Sequence, residues 1–223
     1  MTRIQAISFD LDDTLWPVAP VITAAEQAVH DFFASQAPTV AERFDVAGLR
    51  DLRVSLAREL PHLAHDLSLM RRLSLERACQ ISGVSTDLAE PAFQVFFQAR
   101  NRVEWYPDVA ATLGRLAQRF PLVALTNGNA DLQLTGLAEW FRFSLSAIEV
   151  GAAKPDPAMF HAAADRLALA PEQILHVGDD PGCDLAGAHS AGFQAVLIDR
   201  QGRHKGLATK APVITSLEDL PVI

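Results

Sequence analysis

Three aspartates follow a short apolar run in residues 7–16, whose sequence is ISFDLDDTLW. Carboxylates repel one another and lose hydration when they are buried together, so such a group needs a cation to offset its charge. Asp10 and Asp12 are two residues apart, and side chains two apart on an extended chain point to the same side. Both carboxylates can therefore reach one bound group if the extended geometry continues past the strand.

Two further segments place polar side chains directly after apolar runs. Thr126 and Asn127 follow the run LVAL, and Asp179 follows ILHVG. Because parallel strands bring their carboxyl ends to one edge of a sheet, we expect these residues to meet Asp10 and Asp12 there. Such carboxylates suit Mg²⁺, a hard cation that prefers oxygen ligands and commonly accompanies phosphate.

These residue types match the needs of phosphoryl transfer, which depends mainly on positioning and charge neutralisation. Asp10 can attack phosphorus and form an aspartyl-phosphate. Asp12 can act as a general acid and protonate the leaving oxygen. Lys154, one of only three lysines in the chain, can neutralise the phosphoryl oxygens, and Thr126 can donate a hydrogen bond to them. The pattern therefore favours a phosphate-handling enzyme.

The elements that would position this chemistry alternate between strands and helices. Strand patterns occur in residues 3–9, 121–129, 143–150, 173–180, 193–198 and 211–220. Helical spacing of apolar residues separates most of them. Continuous apolar strands joined by helices indicate a parallel sheet covered on both faces. We therefore predict an α/β fold with a Rossmann-like parallel sheet in residues 1–15 and 106–223.

Residues 16–105 interrupt this α/β pattern. Apolar side chains recur there at helical intervals, and no convincing strand pattern occurs between Trp16 and Tyr106. We therefore predict that residues 16–105 form an all-helical domain inserted after the first strand.

Composition limits the class of partner. The 223 residues carry a formal net charge of −8, which argues against general nucleic-acid binding. No apolar stretch is long enough to cross a bilayer, and the N-terminus lacks the pattern of a signal peptide. Cys79 and Cys183 do not make a disulfide framework. We predict a soluble cytoplasmic protein, monomeric or homodimeric, that acts on a small phosphorylated molecule and has no nucleic-acid or membrane partner.

Four segments, in order, resemble the motifs of the haloacid dehalogenase superfamily. FDLDDTLW is similar to its Asp-x-Asp-x-Thr motif, and LVALTNGN to its strand ending in Thr or Ser. AAKPDPAMF is similar to its lysine before proline, and HVGDDPGCDLAGAHSAG to its Gly-Asp-x-x-x-x-Asp motif. The ordered set covers nearly all of the predicted core. It resembles the phosphatase branch of subfamily I, whose members carry an inserted helical C1 cap, here residues 16–105.

The resemblance implies a role for each matching acidic position. Asp10 is implied as nucleophile and Mg²⁺ ligand. Asp12 is implied as general acid/base and as a ligand through its backbone carbonyl. Asp179 resembles the third protein ligand of Mg²⁺. Asp184 resembles a residue that acts through a metal-bound water or orients Lys154.

The resemblance also implies where phosphate and substrate bind. Thr126, Asn127 and Lys154 resemble phosphate-binding positions, and the cap would close over the site and set substrate preference. Arg71 and Arg100 are the cap candidates for substrate contact, because a cap must offer something to a polar or anionic substrate.

Within the phosphatase branch, the core resembles bacterial enzymes acting on flavin mononucleotide and on 5-amino-6-(5-phospho-D-ribitylamino)uracil. It is also similar to nucleotide and sugar phosphatases. The resemblance therefore implies a substrate among flavin-pathway, nucleotide or sugar phosphates.

Three alternatives to a phosphatase remain open. A phosphomutase would share every core residue but prefer a sugar hydroxyl as final acceptor. A haloacid dehalogenase would use the same nucleophile without an acidic residue at the position of Asp12. A non-enzymatic phospho-acceptor module would hold phosphate on aspartate. A phosphonatase of this fold needs a cap lysine, and no lysine precedes Lys154.

Overall fold

The computed structural model describes residues 3–63 and 65–221. They form two compact units. The first, called the α/β unit, contains the described residues of Met1–Pro17 and Glu104–Ile223, and the second, called the helical unit, contains those of Val18–Val103. The junctions fall at residues 17/18 and 103/104, beside those predicted at 15/16 and 105/106. The role of the helical unit as a cap stays a prediction.

The α/β unit is built on one sheet of six strands in the order β3-β2-β1-β4-β5-β6. Every neighbouring pair is parallel. The strands are β1 (Ala6–Phe9), β2 (Leu122–Thr126), β3 (Phe141–Ser146), β4 (Ile174–Gly178), β5 (Gln194–Ile198) and β6 (Val213–Ile214). The predicted α/β fold with a Rossmann-like parallel sheet is therefore confirmed. The strand order reverses between β1 and β4, and ligands bind at such a reversal in open parallel sheets.

Helices cover this sheet and bury its apolar side chains. They are α6 (Val109–Ala117), α7 (Ala147–Val150), α8 (Pro157–Leu167) and α9 (Gly187–Ser190). Every residue of β1, β2 and β4 is buried, which explains why these strands read as continuous apolar runs. Met159 and Phe160 of α8 pack in one core with Leu125 and Ile174 of the sheet. Each such side chain contributes roughly 1.5–3 kcal/mol when buried.

The segment 143–150 departs from the strand predicted for its whole length. Strand β3 ends at Ser146, and the one-turn helix α7 follows. Ser146 Oγ accepts a hydrogen bond from Glu149 N, and the Glu149 carboxylate accepts one from Ser146 N. This capping box satisfies two backbone donors and starts the helix. The spacing Ser-x-x-Glu was visible in the sequence.

The helical unit consists of α1 (Val18–Gln36), α2 (Pro38–Arg43), α3 (Val46–Glu59), α4 (Leu67–Ile81) and α5 (Ala89–Arg100). Its described residues, 18–63 and 65–103, contain no strand. Val29 and Phe33 of α1 share a core with Phe93 and Phe96 of α5. Across the described part of the chain, no helix has the length and apolar character needed to span a membrane.

The chain leaves and re-enters the α/β unit at one place. Tyr106 N donates a hydrogen bond of 2.9 Å to Leu15 O, so the strand-end loop before the helical unit touches the segment that follows it. The backbone of the loop after β1 is therefore fixed close to α6.

Candidate active site

The ends of β1 and β4 bring aspartates to one edge of the sheet. Asp10 continues β1 by one residue, because its N–H donates a bond of 2.9 Å to Val177 O of β4. Asp179 follows β4 directly. Carboxylate oxygens of Asp10, Asp179 and Asp184 lie within 4.8 Å of one another. Asp10 and Asp184 are buried. The structure thus gathers the predicted carboxylates where a ligand would meet a parallel sheet.

Lys154 provides the cation inside this group. Its Nζ donates 2.7 Å hydrogen bonds to Asp10 Oδ1, Asp184 Oδ1 and the carbonyl oxygen of Leu125. The lysine side chain is 1% exposed. Burial alone would lower its pKa, but Asp10 and Asp184 outweigh burial and raise that pKa. The ammonium group therefore stays charged and directed at the candidate nucleophile.

One lysine does not neutralise three carboxylates. Burial raises the pKa of Asp10 well above its usual range, and Asp184 and Asp179 add to this against the opposing charge of Lys154. Burial, followed by the charges of Asp184 and Asp13, raises the pKa of Asp179 to about 7. The excess negative charge, carried entirely on oxygen atoms, fits a hard divalent cation such as Mg²⁺.

Asp184 is held from several sides. Its Oδ1 accepts bonds from Lys154 and, at 3.2 Å, from Nε2 of His176, while Oδ2 accepts a 2.9 Å bond from Asp180 N. Burial would raise the pKa of Asp184, but Lys154 and His176 outweigh it and hold the pKa below the ordinary range. A Cβ atom at Gly178 would overlap the Asp184 carboxylate, so only glycine leaves room for this side chain.

The side chain of Asn127 forms two hydrogen bonds with the backbone of Lys154. Its Nδ2 donates to Lys154 O at 2.9 Å, and its Oδ1 accepts from Lys154 N at 2.7 Å. Thr126 Oγ1 accepts a 2.9 Å bond from Gly128 N, which leaves its own hydroxyl hydrogen to donate. The structure therefore bonds Asn127 to the Lys154 backbone and places Thr126 directly after Leu125, whose carbonyl oxygen accepts a bond from Lys154 Nζ. The contact of both residues with phosphate stays a prediction.

The loop after β1 holds the remaining carboxylate. Trp16 Nε1 donates a 2.9 Å hydrogen bond to Asp12 Oδ1, and the indole is fully buried. Thr14 Oγ1 donates to Asp179 Oδ1 at 3.2 Å. Trp16 thus holds Asp12, the candidate acid, within the loop, and Thr14 connects the loop to Asp179, the candidate metal ligand.

Sequence reasoning missed a buried pair behind the carboxylates. Ser8 of β1 and His176 of β4 are register partners, and Ser8 Oγ lies 2.9 Å from His176 Nδ1. Burial lowers the pKa of His176, which favours the neutral imidazole. Nε2–H then donates to Asp184 and Nδ1 accepts from Ser8. A polar residue inside each apolar strand was the signal that could have revealed the pair.

The cap candidates lie in the helical unit. Arg71 packs its guanidinium 3.4 Å from the centre of the Phe96 ring and has Nη2 3.7 Å from Glu26 Oε1. Burial, with the charge of Arg53, lowers the pKa of Arg71 to about 9. Arg100 is 1% exposed. Their contact with substrate stays a prediction.

Known proteins show similarity over most of the chain. The family model described as a haloacid dehalogenase-like hydrolase matches residues 4–192. The 5-amino-6-(5-phospho-D-ribitylamino)uracil phosphatase YigB of Escherichia coli is 37% identical over 88% of this chain and 84% of its own length. A phosphoserine phosphatase of Thermus thermophilus is 32% identical over 88% of this chain and 89% of its own length.

A solved structure adds a relative that is named for a different activity. The 2-haloacid dehalogenase from Pseudomonas syringae pv. tomato DC3000 has a TM-score of 0.91 and 40% identity, and the match covers 98% of this chain and 97% of that one. The family predicted from the four motifs is confirmed by these comparisons. The chain belongs to the haloacid dehalogenase-like hydrolases.

Proposed function

We propose that this hydrolase is a Mg²⁺-dependent phosphomonoesterase that works through an aspartyl-phosphate on Asp10. The observation that carries the proposal is the carboxylate group of Asp10, Asp179 and Asp184 within 4.8 Å, with Lys154 bonded to two of its members. Relatives named as phosphatases support the reaction class. Such a group provides a nucleophile and charge neutralisation, the main needs of phosphoryl transfer.

Asp10 and Asp12 share the bond-making and proton-transfer steps of this reaction. Asp10 Oδ1 accepts from Lys154, so we assign Oδ2 to the attack on phosphorus. The bond between phosphorus and the leaving oxygen breaks as the bond to Oδ2 forms. Asp12 Oδ1 accepts from Trp16, so we assign Asp12 Oδ2 to deliver the proton to that oxygen. Asp12 then takes a proton from the water that hydrolyses the aspartyl-phosphate and releases inorganic phosphate.

The cation fits beside these residues. Asp10, Asp179 and the backbone carbonyl of Asp12 would hold it, since the carboxylate of Asp184 is already bonded to Lys154, His176 and the N–H of Asp180. When bound, Mg²⁺ supplies positive charge that offsets the phosphoryl oxygens and the clustered carboxylates. Lys154 neutralises charge on the same oxygens, and Thr126 donates its hydroxyl hydrogen to them.

The proposed substrate is a small phosphorylated metabolite of the flavin pathway, a nucleotide or a sugar phosphate. The relative named for 5-amino-6-(5-phospho-D-ribitylamino)uracil supports the first of these. We further propose that the enzyme is cytoplasmic and has no nucleic-acid or membrane partner. Arg71 and Arg100 remain the proposed substrate contacts of a helical cap.

Product release from a compound panel tests the proposal. The panel contains flavin mononucleotide, the ribitylaminouracil phosphate, phosphoserine, nucleoside monophosphates and sugar phosphates, each with Mg²⁺ or with chelator. We expect Mg²⁺-dependent phosphate release. Halide release from 2-haloacids, without phosphate release, would instead assign the activity named for the Pseudomonas syringae relative. Phosphate moved to a second hydroxyl of the substrate would assign a phosphomutase.

The acid role of Asp12 has its own test. Asp12→Asn removes the proton donor while keeping the acceptor of the Trp16 bond. We expect a much larger loss of kcat with alkyl phosphates than with p-nitrophenyl phosphate, whose leaving group needs little protonation. Equal losses with both substrates would count against this role.

A further inference from the structure

Arg200 lies just beyond β5 and holds the loop that carries the candidate catalytic aspartates. Its Nε and Nη2 donate to the carbonyl oxygen of Thr14 at 3.2 and 3.0 Å. Its Nη1 donates to Asp108 Oδ2 at 2.7 Å. The side chains of Arg200 and Asp108 are 8% and 11% exposed. Two donors on one carbonyl and a third on a carboxylate engage all three nitrogens of the planar guanidinium.

The carboxylate that holds Arg200 is itself fixed. Asp108 Oδ2 also accepts from Ser216 Oγ at 2.8 Å and from Leu217 N at 2.7 Å. The Arg200 guanidinium lies 4.4 Å from the centre of the Tyr106 ring. Arg200 therefore joins the loop after β1 to the start of α6 and to the C-terminal turn, all within the α/β unit.

Thr14 passes this restraint to the carboxylate group. Its side chain is fully buried, and its hydroxyl donates to Asp179 Oδ1 at 3.2 Å. The carbonyl of Thr14 is held by Arg200 and its hydroxyl is directed at Asp179. Movement of the Thr14 backbone would therefore change the orientation of the Asp179 carboxylate.

We propose that Arg200 is a positioning residue for Asp179 and sets the affinity of the site for its divalent cation through Thr14. This inference rests on the proposed function. Groups that orient metal-binding carboxylates typically contribute about 10- to 100-fold in metal affinity. Arg200 is placed to contribute in this way without touching substrate or cation.

Calorimetric titration of Mg²⁺ into the purified protein tests the inference without depending on turnover. We expect Arg200→Met to weaken Mg²⁺ binding about tenfold, with far-UV circular dichroism unchanged. Arg200→Lys should recover part of the lost Mg²⁺ affinity, because the positive charge is retained. The recovery should be incomplete, because one ammonium group cannot reproduce the three hydrogen bonds to Thr14 and Asp108. At saturating Mg²⁺, kcat should change less than the Mg²⁺ affinity.

Arg166→Met is the matched control. Arg166 is an exposed arginine of the same unit, and its guanidinium lies 4.1 Å from the Phe143 ring centre. This variant loses the same charge and a similar aromatic contact, so we expect wild-type Mg²⁺ affinity. Equal affinity in Arg200→Met and Arg166→Met would overturn the inference.

A double mutant tests the route through Thr14. Thr14→Val removes the hydroxyl that contacts Asp179 and retains the carbonyl that contacts Arg200. If Arg200 acts through Thr14, adding Arg200→Met to Thr14→Val should weaken Mg²⁺ binding no further. Fully additive losses would overturn the proposed route.

Two further results separate the inference from the proposed function. If Arg200→Met does not fold, Asp108→Asn decides the matter, because it keeps the side-chain shape and weakens the hold on Arg200; unchanged Mg²⁺ affinity would overturn the inference. If the wild-type protein neither binds Mg²⁺ nor releases phosphate, the proposed function fails and takes the inference with it. Wild-type activity and Mg²⁺ binding with an unaltered Arg200→Met variant would overturn the inference alone.

Discussion

Each unit of the molecule contains one buried charged side chain surrounded by several side chains of the opposite charge. In the α/β unit, Lys154 lies between two aspartates, with a third close by. In the helical unit, the signs are reversed. Glu26, whose side chain is 5% exposed, has guanidinium nitrogens of three arginines within 3.7 Å, those of Arg50, Arg53 and Arg71.

The two charge groups differ in their access to water. The side chains of Lys154 and Asp184 are 1% and 3% exposed, whereas those of Arg50 and Arg53 are 47% and 25% exposed. Solvent screens the excess charge in the helical unit, while the excess in the α/β unit is enclosed. An enclosed excess of negative charge needs a bound cation or shifted pKa values, which supports the proposal that the α/β group is the reactive one.

The largest expected effect is the loss of turnover in a variant that lacks the proposed nucleophile. Asp10→Asn removes the proposed nucleophile, and we expect kcat for phosphate release to fall at least about 1,000-fold while the protein stays folded. Asp13→Asn is the control, because Asp13 faces Arg203, with 3.8 Å between the charged groups, and has no proposed role in the reaction. Turnover retained by Asp10→Asn would show that the enclosed group is not the reactive one.

The second prediction concerns a variant in which the buried ammonium group of the α/β unit is removed. Lys154→Met leaves Asp10 and Asp184 buried without their counter-charge, so the free energy of unfolding should fall by about 3–5 kcal/mol. Urea unfolding measures this loss. Lys205→Met, at an exposed position, should change the same quantity by less than about 0.5 kcal/mol. Similar values for both variants would contradict an enclosed charge group.

Removing the buried carboxylate of the helical unit should lower the free energy of unfolding by a smaller amount. Glu26→Gln leaves the arginines without their counter-charge, but two of them reach solvent, so we expect a loss of about 1–3 kcal/mol in the free energy of unfolding. The exposed pair Arg72–Glu90 supplies the control, and Glu90→Gln should cost less than about 1 kcal/mol. A loss from Glu26→Gln as large as that from Lys154→Met would remove the proposed difference between the units.

The smallest effect has the opposite sign. Folding raises the pKa of Asp179 from 3.8 to about 7, so the folded protein binds this proton more tightly and loses stability as the pH rises through that window. A pKa shift of this size corresponds to roughly 4 kcal/mol, and we expect about 1–2 kcal/mol of it because the half-buried Asp179 carboxylate is partly screened by solvent. Asp179→Asn should therefore stabilise the cation-free protein by this amount above pH 7 and have no such effect below pH 3.8.

Thermal unfolding with and without Mg²⁺ checks this prediction. Mg²⁺ should raise the Tm of the wild type and leave that of Asp179→Asn nearly unchanged, because the variant lacks a ligand. Asp180→Asn is the matched comparison, since it alters the neighbouring carboxylate, which instead accepts bonds from Gly182 N and Cys183 N. A pH-independent gain in Asp179→Asn would rule out carboxylate ionisation as its cause.

Part of the carboxylate group could be predicted because Asp10 and Asp179 each follow an apolar strand, whereas Asp184 lies in the helical segment Pro181–Ala186 after β4 and was implied by the resemblance alone. Asp10 and Asp179 needed only the rule that parallel strands end at one edge. The Ser8–His176 pair was missed because it depends on which strands are neighbours and on their register. Arg200 was missed for the same reason, since its partners Thr14 and Asp108 are distant in sequence.

The helical unit was predicted less completely. Apolar spacing identified its helices, and the caps at Asp45 and Asp66 have the residue type that begins a helix. Spacing does not say which polar side chains of different helices meet. The pairing of Glu26 on α1 with Arg50 on α3 and Arg71 on α4 therefore had no local signal.

The hydrogen bond between Tyr106 N and Leu15 O gives the chain a modular design. Because it brings the two ends of the inserted unit together, the sheet needs only a closed loop at this point, whatever that loop contains. The free-energy cost of closing a loop rises only slowly with its length. The inserted segment can therefore be enlarged, shortened or exchanged here while the strands and their aspartates keep their positions.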